Sequence, residues 1–271
     1  MFINKIAKIV KKNNSLACVG LDSDINKIPK HLLKYPDSIF RFNKEIIDAT
    51  HDLVCAYKPN IAFYEAEGAK GLISLKKTNE YLVKKYPEIP IIIDAKRGDI
   101  DSTNLGYITN IFNELKADAV TLHPYLGYLS LKPFLNLKDK FFFILCRTSN
   151  PGAQEFQDLK VKGQYLYQYV AKQVVTKWNI NNNCGLVVGA TYPKEIKIIR
   201  KIAKNMWFLV PGIGFQGGDV EKTVKAGKDS HGTGMVINSS RGIIYASDNK
   251  DFAQRARKET LKLLNLINKY R

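Results

Sequence analysis

The strongest constraint on the fold is the alternation of apolar, strand-like runs with helical segments along almost the whole chain. Many of the runs are apolar throughout, as expected for parallel strands that are buried on both faces. The strand-like runs span 16–21, 55–63, 91–95, 119–122, 141–146, 185–188, 207–210 and 235–238. Segments with helical spacing of apolar residues lie at 39–53, 72–85, 103–115, 165–178 and 193–204, and another follows at 252–267.

About eight strands alternating with helices predict an α/β fold, a closed (β/α)8 TIM barrel, in preference to an open, doubly wound sheet. The length of 271 residues suits one such barrel, and no Pro-, Gly- or Ser-rich linker divides the chain. We therefore expect a single domain over residues 1–271. An open sheet stays possible, because strand order cannot be read from a sequence. A dinucleotide site is not indicated, because no G-x-G-x-x-G is followed by an acidic residue at the right distance.

Composition limits the environment and the partners. The net charge of +17 would permit nucleic-acid binding, but the lysines are spread through every helical segment together with Asn and Ile, which favours a coding bias. No apolar stretch approaches the roughly 18 residues of a membrane span, and residues 1–5 do not resemble a signal peptide. The four cysteines lack C-x-x-C pairing, which predicts buried thiols in a reducing compartment. We expect a cytoplasmic protein with no nucleic-acid or membrane partner.

Polar residues collect where the predicted strands end, and in barrel enzymes the chemistry lies at the carboxyl ends of the strands. The densest group is D-A-K-R-G-D at 94–99, directly behind a buried strand. Alternation along the strand puts Asp94 and Lys96 on one face, with Asp99 just beyond. A surface salt-bridge cluster is the alternative, but the apolar run that leads into these charges disfavours it. The other strand ends carry Asp22, Lys58 with Asn60 on one face, His123, Arg147 to Gly152, Pro211 to Gly218, and Asn238 to Gly242.

The last two of these strand ends favour phosphate binding. Glycines let the backbone approach a ligand and expose its N–H groups, and loops after strands seven and eight often hold phosphate in this fold. Gln216 could donate from its amide, and Arg241 offers a forked charge that matches phosphate oxygens. A purely structural glycine turn is the alternative.

Taken together, the segments C-V-G-L-D at 18–22, Y-K-P-N-I-A-F-Y-E at 57–65, D-A-K-R-G-D-I at 94–100, T-S-N-P-G at 148–152 and P-G-I-G-F-Q-G-G at 211–218 resemble the orotidine 5'-phosphate decarboxylase family. The D-A-K-R-G-D-I form is typical of one major bacterial branch. With Arg241, these motifs run in order over nearly all of the chain. One departure is Asp101, where many relatives carry Gly; we expect it to alter the local loop without removing chemistry.

The resemblance implies a carboxy-lyase that converts orotidine 5'-phosphate to UMP and CO2 in de novo pyrimidine biosynthesis, with no metal and no cofactor. It also implies a homodimer with shared active sites. By residue, it implies Lys96 as the proton donor to C6, Asp94 beside the substrate carboxylate, and Lys58 in the charged network. It further implies ribose contacts from Asp22 and Asn60, a pyrimidine contact from Ser149, and phosphate contacts from Gln216 and Arg241. Asp99, with Ile100 and Thr103 nearby, would reach into the partner's site.

The residue types suit this chemistry. Loss of CO2 from a pyrimidine C6 leaves a poorly delocalised carbanion, so the site must stabilise negative charge as it develops. A lysine kept protonated by flanking carboxylates can do so and then donate its proton. A carboxylate against the substrate carboxylate would disfavour the ground state, and binding of the remote phosphate would hold the substrate in place.

Two alternatives remain. A phosphosugar enzyme, such as a 3-keto-gulonate 6-phosphate decarboxylase or a hexulose phosphate synthase, shares an Asp-x-Lys-x-x-Asp array but needs a metal for enediolate chemistry. The R-T-S-N-P-G loop at 147–152 suits a base reader better. A basic RNA-binding protein should carry stacking aromatic residues on a basic face, and no such motif is evident.

Overall fold

The protein folds as a closed barrel of parallel strands. In this computed structural model the described residues are 1–213 and 217–271. Within them, one sheet contains eight parallel strands: β1 (Ala17–Gly20), β2 (Ala56–Lys58), β3 (Ile92–Arg97), β4 (Ala119–Leu122), β5 (Phe141–Arg147), β6 (Cys184–Val188), β7 (Phe208–Val210) and β8 (Met235–Ser239). Hydrogen bonds join them in the order β2-β1-β8-β7-β6-β5-β4-β3. Bridges from Tyr57 to Ile91 and from Asn60 to Asp94 close the ring. The predicted barrel is confirmed, and the open sheet is excluded.

Helices follow most of the strands. They are α1 (Phe2–Asn13), α2 (Ser38–Thr50), α3 (Ile61–Glu65), α4 (Gly68–Lys85), α5 (Asp101–Ile108), α6 (Gly127–Leu135), α7 (Gln154–Gln157), α8 (Leu166–Gln173), α9 (Pro193–Ile202), α10 (Val220–Gly227), α11 (Arg241–Ile244) and α12 (Phe252–Tyr270). Short π-helical segments, Thr109–Glu114 and Val174–Trp178, continue α5 and α8. Shorter elements are the 3-10 turns Lys30–Leu32 and Pro151–Ala153 and a hairpin of Lys160–Val161 with Gln164–Tyr165. The predicted helical segments are confirmed, with ends displaced by a few residues.

One predicted strand is wrong in its second half. The run 55–63 forms a strand only as far as Lys58, and a helix begins at Ile61. Pro59 offers no backbone N–H for a strand ladder. Asn60 then caps the helix, because its side chain accepts a hydrogen bond from the Ala62 N–H at 3.2 Å. The turn after β2 therefore fixes the Asn60 backbone next to Asp94.

Aromatic side chains fill the amino end of the barrel. The helix α1 was not predicted, and its first residue, Phe2, stacks on Phe141 at 4.6 Å between ring centroids. Phe2 also meets the edge of Phe143 at 5.9 Å, and all three rings are buried. This apolar packing closes the end of the barrel where β5 begins and leaves the opposite, carboxyl end open for a site.

A buried arginine ties together the loops at the same amino end. The Arg200 guanidinium lies 3.6 Å from the centroid of the Phe208 ring. It donates hydrogen bonds to five backbone carbonyls, those of Ala203, Lys204, Met206, Gly227 and Gly234, at 2.7–3.3 Å. Two of these carbonyls, those of Ala203 and Gly234, also accept from the backbone N–H groups of Met206 and Phe208. Arg200 adds a donor to all five and so joins the end of α9, the end of α10 and the approaches to β7 and β8.

Candidate active site

The carboxyl ends of the strands surround a cavity of about 460 Å³. Predicted site residues that line it are Asp22, Lys58, Asn60, Asp94, Lys96, Ser149 and Arg241. They come from strands or loops that are distant in sequence, because parallel strands of a barrel all end at the same rim. Gln216 lies outside the described residues. Asp99, Ile100 and Thr103 do not line this cavity.

Asp94 lies between two ammonium groups at the centre of the cavity wall. Its Oδ2 is 3.0 Å from Lys58 Nζ and its Oδ1 is 2.6 Å from Lys96 Nζ. Burial alone would raise the pKa of Asp94, but the charges of Lys58 and Lys96 outweigh it and hold that pKa well below its usual range. Burial would likewise lower the pKa of Lys58, and Asp94 and Asp22 instead raise it. Asp94 and Lys58 are therefore both charged at neutral pH.

The proximity of Asp94 and Lys96 is as predicted, but regular strand alternation is not its cause. The pairing of β3 with β4 shifts register between Ile93 and Arg97, and Lys96 has φ 48°, in the left-handed region. Such a bulge re-aims one side chain and is a form of strain that concentrates at functional sites. Lys96 is left half-exposed at the cavity while Asp94 stays largely buried.

Thr121 holds this irregular strand end and was missed by sequence reasoning. Its hydroxyl accepts hydrogen bonds from the N–H groups of Ala95 and Lys96 and donates to Asp94 Oδ1 at 2.9 Å. The bulge therefore keeps its hydrogen bonds, and the carboxylate gains a third partner. The signal was available, since Thr121 is the polar residue inside the apolar run 119–122.

Asp22 presents an acceptor to the cavity. Its Oδ1 is buried, has no hydrogen-bond partner among residues 1–213 and 217–271, and lies 4.0 Å from Lys58 Nζ. The adjacent backbone is held by Tyr245, whose hydroxyl donates to the Asp22 carbonyl at 2.8 Å and accepts from the Asp24 N–H at 2.7 Å. A buried carboxylate oxygen without a donor is costly, so this position suits a ligand hydroxyl.

The Ser149 loop follows β5 and packs against Gly189, a position that has room for no side chain. A Cβ placed on Gly189 would lie 2.7 Å from the Cα and N of Ser149, so only glycine lets the loop after β6 lie against it. The flanking residue Thr148 is bonded to Gln157, which also lines the cavity. Gln157 was not predicted from the sequence, where it is one of many polar residues in a loop.

The loops after β7 and β8 meet at one side of the cavity. Gly212 and Gly217 have φ of 98° and 82°, which explains the glycines at these two positions. Ser239, Ser240 and Gly242 line the wall beside Arg241. Residues 211–213 and 238–242, which are described parts of the two predicted phosphate segments, therefore line the same cavity as Asp94 and its two lysines.

Asp99 belongs to a second, open cleft of about 290 Å³ on the outer side of Lys96. Its N–H donates to the Asn104 side chain at 3.0 Å, and Asn104 in turn donates to the carbonyls of Asp99 and Ser130. Asp101 begins α5 with φ 32°, a conformation that favours glycine. The position at which this sequence has Asp, where many relatives carry Gly, is therefore one whose backbone suits glycine best.

Comparison with known proteins decides the family. A model of the Orotidine 5'-phosphate decarboxylase / HUMPS family matches residues 16–256. The chain belongs to this family. It is 52% identical over 270 residues to an orotidine 5'-phosphate decarboxylase of Cellvibrio japonicus, covering 98% of each chain. The chain is a carboxy-lyase.

Similar solved structures support the same family assignment. An OMP decarboxylase of Leishmania donovani has a TM-score of 0.83 and 39% identity, with 97% of this chain and 98% of that chain covered. A UMP synthase of the same organism has a TM-score of 0.85 and 40% identity, and the match covers 97% of this chain but 56% of that one.

The described residues contain neither a membrane-spanning helix nor a cluster of metal ligands. No helix in 1–213 or 217–271 is both long and apolar enough to cross a membrane. No group of three His, Cys, Asp or Glu side chains in the same ranges is arranged to hold a metal ion.

Proposed function

We propose that this protein decarboxylates orotidine 5'-phosphate to UMP and CO2, as a step of de novo pyrimidine biosynthesis, with no metal or cofactor. The observation that carries the proposal is the buried Asp94 carboxylate held between Lys58 and Lys96 in the cavity wall. This arrangement supplies a fixed ammonium where negative charge would develop, and a fixed carboxylate where the substrate carboxylate must leave.

In the proposed mechanism, Lys96 is the catalytic acid. The bond from C6 to the carboxylate carbon breaks, its electron pair stays on C6, and CO2 departs. The nearby Lys96 ammonium stabilises the carbanion and then transfers one proton to C6, and water reprotonates the amine. Asp94 disfavours the bound substrate carboxylate and orients Lys96. Lys58, fixed on the other oxygen of Asp94, keeps that carboxylate ionised and in place.

The remaining residues would bind the rest of the nucleotide. Asp22 and Asn60 lie on the same wall as the charged cluster and suit the ribose hydroxyls; the orphaned Asp22 Oδ1 needs such a donor. Ser149 suits the polar edge of the pyrimidine, which has both donors and acceptors. Arg241 and Gln216 suit the phosphate. Binding of these remote groups would offset the repulsion at the reacting carboxylate.

We also propose a cytoplasmic homodimer with shared sites. Asp99 lies outside the cavity of its own subunit, and the surface next to it is apolar, with Ile100, Leu105, Leu126 and Leu129 all exposed. Such a patch favours an interface between copies of the chain. The partner's Asp99 could then pair with Lys96 beyond Asp94. Four free, buried cysteines on the described chain suit a reducing compartment.

The activity is tested by incubating the pure protein with orotidine 5'-phosphate in EDTA and following the loss of its ultraviolet absorbance. Turnover that withstands EDTA, and that Lys96→Ala lowers by at least about 10²-fold in kcat, supports the proposal. Retention of more than about a tenth of the activity by a folded Lys96→Ala variant would remove Lys96 as the proton donor. Activity that EDTA abolishes would favour a metal-dependent phosphosugar enzyme.

The shared site is tested by complementation between inactive Lys96→Ala and Asp99→Ala variants. In a mixed dimer one site carries both lesions and the other carries neither, so random exchange of subunits should restore about a quarter of full activity. No recovery after demonstrated exchange would place Asp99 in the site of its own subunit.

A further inference from the structure

Gln157 is bonded at both ends of its amide to one residue of the Ser149 loop. Its Oε1 accepts a hydrogen bond from the Thr148 N–H at 2.8 Å, and its Nε2 donates to Thr148 Oγ1, also at 2.8 Å. The side chain lines the cavity, although it comes from α7 rather than from the end of a strand. No part of the proposed mechanism assigns it a role.

The orientation of this amide is set by a buried charge. Arg147 is 1% exposed, its Nη2 lies 3.2 Å from Asp158 Oδ2, and its guanidinium carbon lies 4.0 Å from the centroid of the Tyr192 ring. Its Nη1 faces Gln157 Oε1 at 3.4 Å. Because a guanidinium only donates, the Gln157 oxygen must face it, and the amide nitrogen must then point to the Thr148 hydroxyl.

The hydrogen bonds of Gln157 extend to the residues on both sides of Ser149. Thr148 Oγ1 accepts from Gln157 and donates to Asn150 Oδ1 at 2.6 Å, so the hydroxyl acts in both directions. Behind the loop, Gly189 donates its N–H to the Arg147 carbonyl at 2.7 Å and packs against the Ser149 backbone. Residues 148 and 150 are therefore fixed relative to β5, β6 and α7.

We propose that Gln157 is a positioning residue that sets Ser149 for recognition of the pyrimidine base. The inference rests on the proposed function, in which Ser149 contacts that base. Its specific consequence is that Gln157 governs the part of the affinity that the base supplies, and not the part that ribose and phosphate supply. A merely structural glutamine would affect stability or weaken all ligands alike.

The experiment compares the affinities of UMP and ribose 5-phosphate, which differ by the base, for four variants. Gln157→Ala should weaken UMP by about tenfold, the scale of losing one or two hydrogen bonds, and leave ribose 5-phosphate within about twofold. Gln154→Ala is the matched control, because Gln154 is an exposed residue of the same type on the same short helix. Ser149→Ala gives the full loss from the base. The double variant Gln157→Ala/Ser149→Ala should be no weaker for UMP than Ser149→Ala alone, because both act on one contact.

Each outcome decides something. Additive losses in the double variant would mean that Gln157 acts independently of Ser149, which overturns the inference. An unchanged UMP to ribose 5-phosphate ratio in Gln157→Ala, with the expected loss in Ser149→Ala, overturns the inference and leaves the proposed function standing. Equal affinities for the two ligands in the unmodified protein would instead overturn the base-reading site itself.

Discussion

The substitution Gly189→Ala should lower activity, because the added methyl group would displace the Ser149 loop. The Cβ of a Gly189→Ala variant would lie 2.7 Å from the Cα and N of Ser149 and 2.8 Å from its Cβ, where ordinary contacts begin at about 3.4 Å. The Ser149 backbone must therefore retreat by roughly 0.7 Å, the shortfall from that contact distance. Displacements near 1 Å can cost on the order of 10²-fold in rate, so we expect kcat/KM for orotidine 5'-phosphate to fall by roughly 10- to 100-fold.

The same crowding has a cost in stability, and a second glycine separates the two effects. A Cβ on Gly185, in the strand β6 that Gly189 follows, would lie 2.5 Å from the Trp207 carbonyl oxygen and 2.8 Å from the Phe141 ring, at the end of the barrel away from the site. Overpacking of this kind costs about 1–3 kcal/mol, or roughly 2–5 °C in Tm for a chain of this size. Gly185→Ala should lose that stability and keep its kcat/KM.

The assay is steady-state kinetics with each variant well below its own Tm, together with thermal unfolding. The reasoning is refuted if Gly189→Ala keeps its kcat/KM within about twofold, since the loop would then tolerate the shift. It is also refuted if both variants lose activity in proportion to their lost stability.

Three further changes test other parts of the structure. Tyr245→Phe removes the hydroxyl that holds the Asp22 backbone, so KM for orotidine 5'-phosphate should rise several-fold. Both lost hydrogen bonds are part-buried, so Tm should fall by no more than a few degrees; an unaltered KM contradicts this. Arg200→Met removes a donor from five backbone carbonyls, of which those of Ala203 and Gly234 keep a backbone donor. Chemical denaturation should show a free energy of unfolding lower by at least about 3 kcal/mol, and kcat should be unchanged. In Asp48, burial is outweighed by hydrogen bonds from Lys44 and three other partners, which hold its pKa well below the usual range. Asp48→Asn should therefore destabilise the protein at pH 7, and the difference from the unmodified protein should shrink as the pH falls below about 4, towards the depressed pKa of Asp48.

The barrel was predictable because its strands are short apolar runs, buried on both faces, and these runs are visible without any tertiary information. The failures have local causes. Residues 59–63 are as apolar as a strand, but Pro59 and the Asn60 cap end β2 and start a helix. The short helices α3, α7 and α11 were missed, and so were α1, α6 and α10. Helix α6 contains Pro133 and only three buried residues, so its place in the fold depends on contacts that sequence periodicity does not report.

The first layer of the candidate site was likewise predictable, and the layer behind it was not. Asp22 follows β1, Lys58 ends β2 and Asp94 lies within β3, and the barrel topology alone brings the carboxyl ends of the strands together. Thr121, Gln157 and Tyr245 act through hydrogen bonds to the backbone of their neighbours. Such partners depend on how strands and loops meet in space. The sequence marks Thr121 only as a polar residue inside an apolar run, and it carries no pattern that singles out Gln157 or Tyr245. The bulge at Lys96 belongs to the same class, because the shift of register is a property of two strands together.

The balance of charge along the cavity explains why its two sides differ. The charged cluster contains two carboxylates, those of Asp22 and Asp94, and two ammonium groups, those of Lys58 and Lys96. Their formal charges sum to zero, so this side gives a substrate carboxylate no net attraction. Arg241 adds a further positive charge to the described lining of the cavity, and an anionic phosphate would gain most there. In the proposed reaction, affinity would come from the phosphate side while the carboxylate side stays electrostatically indifferent or repulsive. A carboxylate held there by remote binding energy is lost as neutral CO2, and the ammonium of Lys96 then faces a carbanion in its place; the interactions strengthen only as the reaction proceeds.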